Sequence, residues 1–133
     1  VKLKHLDRWT AARQHNAALY DRHFKEAGAD SLVTPAPACG GARHVYNQYI
    51  IRVPADRRDA LRAHLQSKRI GTEIYYPVPL HLQKCFAPLG HTTGDFPVSE
   101  TAARTTVALP VFPELKEAQI RSVAQGVTRF LSE

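Results

Sequence analysis

Methionine is absent from this 133-residue chain, cysteine occurs twice and tryptophan once. Two cysteines, Cys39 and Cys85, do not make a disulfide scaffold in a domain of this size, so reduced thiols are expected. There is no CxxC, and no two histidines stand at i, i+4 beside a carboxylate, so metal-ligand spacing is lacking. No apolar run approaches the roughly 20 residues that span a bilayer. No basic-then-apolar leader opens the chain either, and a cytoplasmic protein without a membrane partner is expected. A nucleophile elbow of the GxSxG kind is missing, and Gly40-Gly41 has neither the lysine nor the spacing of a phosphate-binding loop. No pair of carboxylates stands out for acid–base work. A sequence that opens Val1-Lys2-Leu3 and carries no methionine is expected to be a piece of a longer polypeptide.

What is present fits one globular domain. Hydrophobic residues make up 44% and charged residues 23% of the chain, ordinary values that allow a core and exclude wholesale disorder. The net charge of +6 raises nucleic acid as a partner. The basic residues, among them Lys2, Arg8, Arg22, Arg57, Arg58, Arg62, Arg69 and Arg121, are scattered as solvated helix faces scatter them. His44 to Val53, HVYNQYIIRV, also lacks the aromatic and glycine pattern of an RNA-recognition strand. No nucleic-acid partner is therefore expected, and a nucleic-acid-binding α+β module stands as the alternative from a different class.

Periodicity predicts a long helix from about Lys2 to Ala27, with Leu3, Leu6, Ala17, Tyr20 and Phe24 on one stripe and Gly28 as its stop. Trp9 belongs either to the edge of that stripe or to a contact outside this chain. Prolines and glycines from Ala29 to Arg43 predict a loop. A strand over Arg43–Val53 follows, with Val45, Tyr49, Ile51 and Val53 facing the core. Asp56 is expected to cap a helix buried through Leu61 and Leu65. Gly71 to Tyr76 reads as a second strand, and a short helical patch lies near Leu82–Phe86. Pro97 opens a helix reaching Thr105, with Glu100 supporting its start. Thr106–Leu109 reads as a third strand. A last helix, about Glu114 to Leu131, presents Ile120, Val123, Val127 and Phe130. The expected fold is α+β, a small, mostly antiparallel sheet with helices packed on one face, preceded by the long N-terminal helix.

The stretch from Gly71 to Phe86, GTEIYYPVPLHLQKCF, carries the most chemistry. A β-branched and aromatic run is halted by Pro77 and Pro79, which remove backbone donors and fix φ. His81 follows at once. Such a segment is either a strand-to-helix connection with a solvated histidine or a set of polar groups offered at the rim of a cleft. Tyr75 and Tyr76 alternate across a strand, so one faces the cleft and the other the core. Cys85 stands four residues after His81, which could bring thiol and imidazole together, although an inert cysteine is the commoner outcome.

Four blocks carry a resemblance: HVYNQYIIRV, IGTEIYYPVPLHLQKCF (Ile70 to Phe86), GDFPVSETAA (Gly94 to Ala103) and ALPVFPEL (Ala108 to Leu115). In order and spacing they resemble the C-terminal part of the DegT/DnrJ/StrS-type sugar aminotransferases. The opening helix, with LDRW and the Arg13-to-Tyr20 spacing, is similar to the helix entering that family's small domain. The resemblance implies a pyridoxal-phosphate enzyme that moves an amino group from glutamate to a nucleotide-linked keto-sugar, acting as a homodimer. It implies that the Schiff-base lysine and phosphate-holding groups belong to a large domain absent from this chain, so that the chain alone binds no cofactor and has no catalytic residue. It points to His81, Tyr75 and Tyr76 as the residues nearest the sugar, with His44 and Asn47 as further candidates. A dehydratase or regulatory relative that has lost its lysine is a second possibility within the resemblance.

Overall fold

The computed structural model describes residues 1–29 and 41–133. Most of the predicted loop from Ala29 to Arg43, with Cys39, lies outside the described residues. The first long element, α1 (Leu6–Glu26), is preceded by a single 3-10 turn at Leu3–His5. No glycine or proline interrupts it, Asp7 sits in its first turn and His23 and Lys25 in its last, as the helix dipole favours. Gly28 ends it at φ +68°. There the amide of Ala29 reaches the Phe24 carbonyl (2.8 Å) and that of Gly28 the Lys25 carbonyl (3.0 Å), the paired closure of a Schellman motif.

The buried stripe of α1 starts later than the sequence suggests. Ala17, Tyr20 and Phe24 are buried, but Leu3 and Leu6 are 80% and 50% exposed. Burial along α1 begins only at Thr10 and Asn16, so the helix overruns its own core at the N-terminal end.

Strand β1 is short, Tyr49–Arg52, and pairs antiparallel with β2, Thr106–Leu109, in the register Tyr49↔Leu109 to Arg52↔Thr106. The predicted start at Arg43 does not form. Tyr46 lies at φ +46° and gives its amide hydrogen to Nδ1 of His44 at 3.0 Å, which takes this stretch off the pleat. Val45 is consequently half exposed rather than in the core. The Gly71–Tyr76 strand is also reduced, to one antiparallel bridge between Glu73 and Ala108. It meets the β2 edge opposite β1, with bonds of 3.2 and 2.8 Å between the two residues.

The inner face of this ribbon, Tyr49 and Ile51 with Val107 and Leu109, joins one cluster with Tyr20 and Phe24 of α1. Helix α2 (Arg58–Ser67) adds Leu61 and Leu65. Helix α4 (Glu117–Ser132) adds Ile120, Val123 and Val127, with Phe130 at the margin. The Tyr20 and Tyr49 rings stack at 4.7 Å, and their hydroxyls are satisfied by the Pro110 carbonyl (3.0 Å) and Asp21 (2.6 Å). Burial pushes the pKa of both phenols well above the ordinary tyrosine value, so both stay protonated donors.

Asp56 does not cap α2. The cap position is Arg57, without a side-chain bond. The Arg57 and Arg58 amides bond instead to the Pro54 carbonyl, so the first turn starts from a backbone closure and not from an Asp56 side-chain cap. Arg57 acts at a distance, donating to the Phe130 carbonyl at 2.6 Å and lying 4.7 Å from the centre of the Phe130 ring. Helix α3 (Pro97–Thr105) has proline in its first turn and runs directly into β2, and its Ser99, Ala102 and Ala103 share a cleft with Ile50 and Ala108 of the ribbon.

Candidate functional site

The outer face of the ribbon is not covered by α1 or α4. Gln48, Ile50 and Ala108 alternate with the buried residues and point away from the main core, as a period of two requires. Two clefts open beside the ribbon. The larger, about 670 Å³, is lined by Asn47, Gln48, Glu73, Tyr75, Ala108 and Phe112 together with Gln119, Ser122 and Val123 of α4. The smaller, about 380 Å³, has Tyr75, Tyr76, Pro79 and Leu80 on one wall and Ser99 and Ala102 of α3 on the other. Gln48, Glu73, Tyr75 and Ala108 belong to both, so the clefts adjoin along the Glu73 bridge.

Tyr75 and Tyr76 are 50% and 66% exposed. The expectation that one of them joins the core rested on a regular strand. With pairing limited to Glu73, neither ring is forced inward and both line the smaller cleft. Asn47 is exposed and shares the larger cleft with Tyr75. His44 lines neither. Its Nδ1 accepts the Tyr46 amide, which leaves the hydrogen of the neutral ring on Nε2, and its backbone carbonyl accepts from the Gln14 amide at 2.8 Å.

His81 is placed differently from a rim histidine. It is 9% exposed and lines neither cleft. Its Nε2 stands 3.1 Å from Oε1 of Glu100, and Phe96 covers the ring with centroids 4.8 Å apart. The same Glu100 oxygen accepts the Gly94 amide at 2.7 Å. That amide, with burial opposing it and the His81 bond assisting, holds the Glu100 carboxyl below the usual glutamate range. An ionised carboxylate only accepts, so the hydrogen between the two side chains belongs to His81 Nε2.

The short helical patch is two 3-10 turns, Leu80–Leu82 and Lys84–Leu89, separated by an extended Gln83 at ψ 142°. His81 and Cys85 therefore do not share a helix face, and the exposed thiol is 3.9 Å from Gln83 rather than beside the imidazole. Glu100 was read as a support for its own helix start. It does bond the backbone of Phe96, the cap residue of α3, and it also holds the turn at Gly94 and the ring of His81, 19 residues away in sequence. Only the glycine at position 94 and the early helical position of Glu100 hint at this locally.

This topology and the position of its clefts accompany a match to known proteins. Residues 1–128 match the DegT/DnrJ/EryC1/StrS aminotransferase family. The chain belongs to that family. A relative called pleiotropic regulatory protein from Geobacillus stearothermophilus is 48% identical over 98% of this chain and 34% of its own length. A UDP-N-acetyl-3-dehydro-alpha-D-glucosamine 3-aminotransferase from Acidithiobacillus ferrooxidans is 39% identical over 98% of this chain and 33% of its own. Among solved structures, S. venezuelae DesV in complex with a ketimine intermediate superposes with a TM-score of 0.87 at 32% identity, over 99% of this chain and 34% of that one. The chain thus spans about a third of the length of the relatives it matches.

Against this family, the residues present do not fit the cofactor that its transamination chemistry requires. All six lysines, Lys2, Lys4, Lys25, Lys68, Lys84 and Lys116, stand exposed, whereas a Schiff-base lysine is one buried in a pocket. Among the described residues no group of three His, Cys, Asp or Glu side chains is placed to hold a metal, and no helix is long and apolar enough to cross a membrane.

Proposed function

We propose that this chain is the C-terminal small domain of a pyridoxal-phosphate-dependent nucleotide-sugar aminotransferase and forms one wall of its substrate cleft. The parent enzyme, a cytoplasmic homodimer on this reading, transfers an amino group from glutamate to a keto-sugar, leaving 2-oxoglutarate. The observation that carries the proposal is the family match over residues 1–128 combined with an outer ribbon face left open under Tyr75 and Tyr76. The cofactor, its lysine and its phosphate contacts belong to residues outside this chain.

The chain's own part is binding and orientation. An aromatic face laid on the apolar face of a hexose removes water from both, and the phenol hydroxyls bond ring hydroxyls. Pro79 and Leu80 make the floor beside them apolar, which strengthens each polar contact by excluding competing water. Asn47, in the lining of the larger cleft, supplies both a donor and an acceptor. His44 lines neither cleft and stands outside the substrate-facing set. His81 serves from beneath.

The experiment is turnover by the full-length protein of a UDP- or dTDP-linked keto-sugar with glutamate and pyridoxal phosphate, followed through 2-oxoglutarate. Amino-sugar product is expected. Tyr76→Ala should raise KM on the order of tenfold, the effect of about 1.4 kcal/mol of lost contact, with cofactor absorbance unchanged. A full-length protein that binds cofactor yet aminates no nucleotide sugar would favour the second reading, a regulatory relative or dehydratase. The 48% identity to a protein named as a pleiotropic regulator motivates that reading.

A further inference from the structure

The His81–Glu100 pair joins the two walls of the smaller cleft. One wall is the segment through Tyr75, Tyr76, Pro79 and Leu80, and His81 is the next residue along it. The other wall is α3, where Ser99, Ala102 and Ala103 line the cleft and Glu100 lies among them. The 3.1 Å contact between Nε2 and Oε1 is therefore a bond from wall to wall. Both side chains are 7% exposed, so little water competes for it. Phe96 closes over the imidazole.

A third strand of the chain is drawn in. Gly94, at φ +101°, turns its amide toward the same carboxylate oxygen, 2.7 Å away. A side chain at this backbone conformation would be strained. Both donors converge on Oε1, so a single carboxylate holds the loop before α3 and the segment after Tyr76 in one arrangement. The tyrosines themselves make no strand pairing beyond Glu73, which leaves their separation from α3 to be set from below.

We infer that Glu100 and His81 are positioning residues: a buried latch that sets the width of the Tyr75–Tyr76 cleft by tying its two walls together, without touching what the cleft holds. The identity of the occupant rests on the proposed function; the tie between the walls does not. Truncating the latch should loosen both walls together while the α1–α4 core keeps its protection, because local opening is governed by local bonds.

Hydrogen exchange read by mass spectrometry on the full-length protein tests this, with wild type, Glu100→Ala and Glu100→Gln compared. In Glu100→Ala, peptides covering residues 75–83 and 92–97 should exchange about tenfold faster, as expected for a lost buried charge-assisted bond. Peptides from α1 and α4 should be unchanged. Glu100→Gln keeps an acceptor oxygen in place and should restore most of the protection. In turnover assays Glu100→Ala should raise KM for the nucleotide sugar more than it lowers kcat. Unchanged exchange at 75–83, faster exchange spread equally over α1 and α4, or no recovery with glutamine would each overturn the latch. Loss of turnover already in wild type would instead defeat the proposed function, with the exchange data still deciding the latch.

Discussion

At the scale of single residues, burial and partner decide more than residue type. Glu100 and His81 are both polar, and both are buried because each satisfies the other. A carboxylate without its donors would be left uncompensated; here two donors meet it. This has a pH consequence. The folded-state pKa of Glu100 is lowered, chiefly by the Gly94 amide, so the unfolded chain takes up the proton first. Its contribution is complete above the ordinary glutamate value of about 4.3 and is lost as pH falls through that value toward the depressed folded one. Thermal melts at pH 7 and about pH 4 should show a larger fall in Tm for wild type than for Glu100→Gln. Equal falls would mean that the carboxylate is not held ionised. None of this was legible in the sequence, where Glu100 is one acidic residue in a helix's first turn and His81 is a histidine after two prolines. The pairing spans 19 residues and has no local signature.

At the scale of elements, the sequence was most informative where one period runs uninterrupted. Helix α4 shows Ile120, Val123 and Val127 at helical spacing, and these are the residues found in the core. The stop of α1 at Gly28 is legible because only glycine reaches φ +68° cheaply. Strands were overextended for a related reason. HVYNQYIIRV has β-forming residues throughout, but Tyr46 at φ +46° and its bond to His44 end the pleat three residues before Tyr49. Propensity describes residues, while pairing needs a partner strand, and β2 offers only four residues. Leu3 and Leu6 show the same limit on a helix: correct spacing, with no core among the described residues to receive them. The α2–α4 contact depends on a glycine. A Cβ on Gly126 would lie 3.0 Å from a Leu65 methyl, tighter than ordinary packing. Gly126→Val should force the helices apart and cost about 1–3 kcal/mol, seen as a lower urea midpoint with the slope retained. A variant as stable as wild type would show that the close approach is dispensable.

At the scale of the whole molecule, the chain divides into a sealed side and an open one. The sealed side is the core between the ribbon and α1, α2 and α4. The open side carries Tyr75, Tyr76 and Leu80, each at least 50% exposed, in the lining of the clefts. Scattered exposed apolar residues are normal, but a set gathered at one face marks a surface with work to do. Family and fold class were legible from four blocks in register. The site was legible only in part: Tyr75, Tyr76 and Asn47 line the clefts, while His81 lies below them. A domain that shapes a cleft without a buried amine should be unable to capture the cofactor covalently.

The most direct test is to mix pyridoxal phosphate with the isolated chain and with the full-length protein, reduce each with borohydride, and map the modified lysine. The full-length protein should carry one pyridoxyl group per chain on a lysine outside these 133 residues, and the isolated chain no stoichiometric label. Specific, one-to-one trapping at Lys2, Lys4, Lys25, Lys68, Lys84 or Lys116 in either protein would contradict the division of labour proposed above.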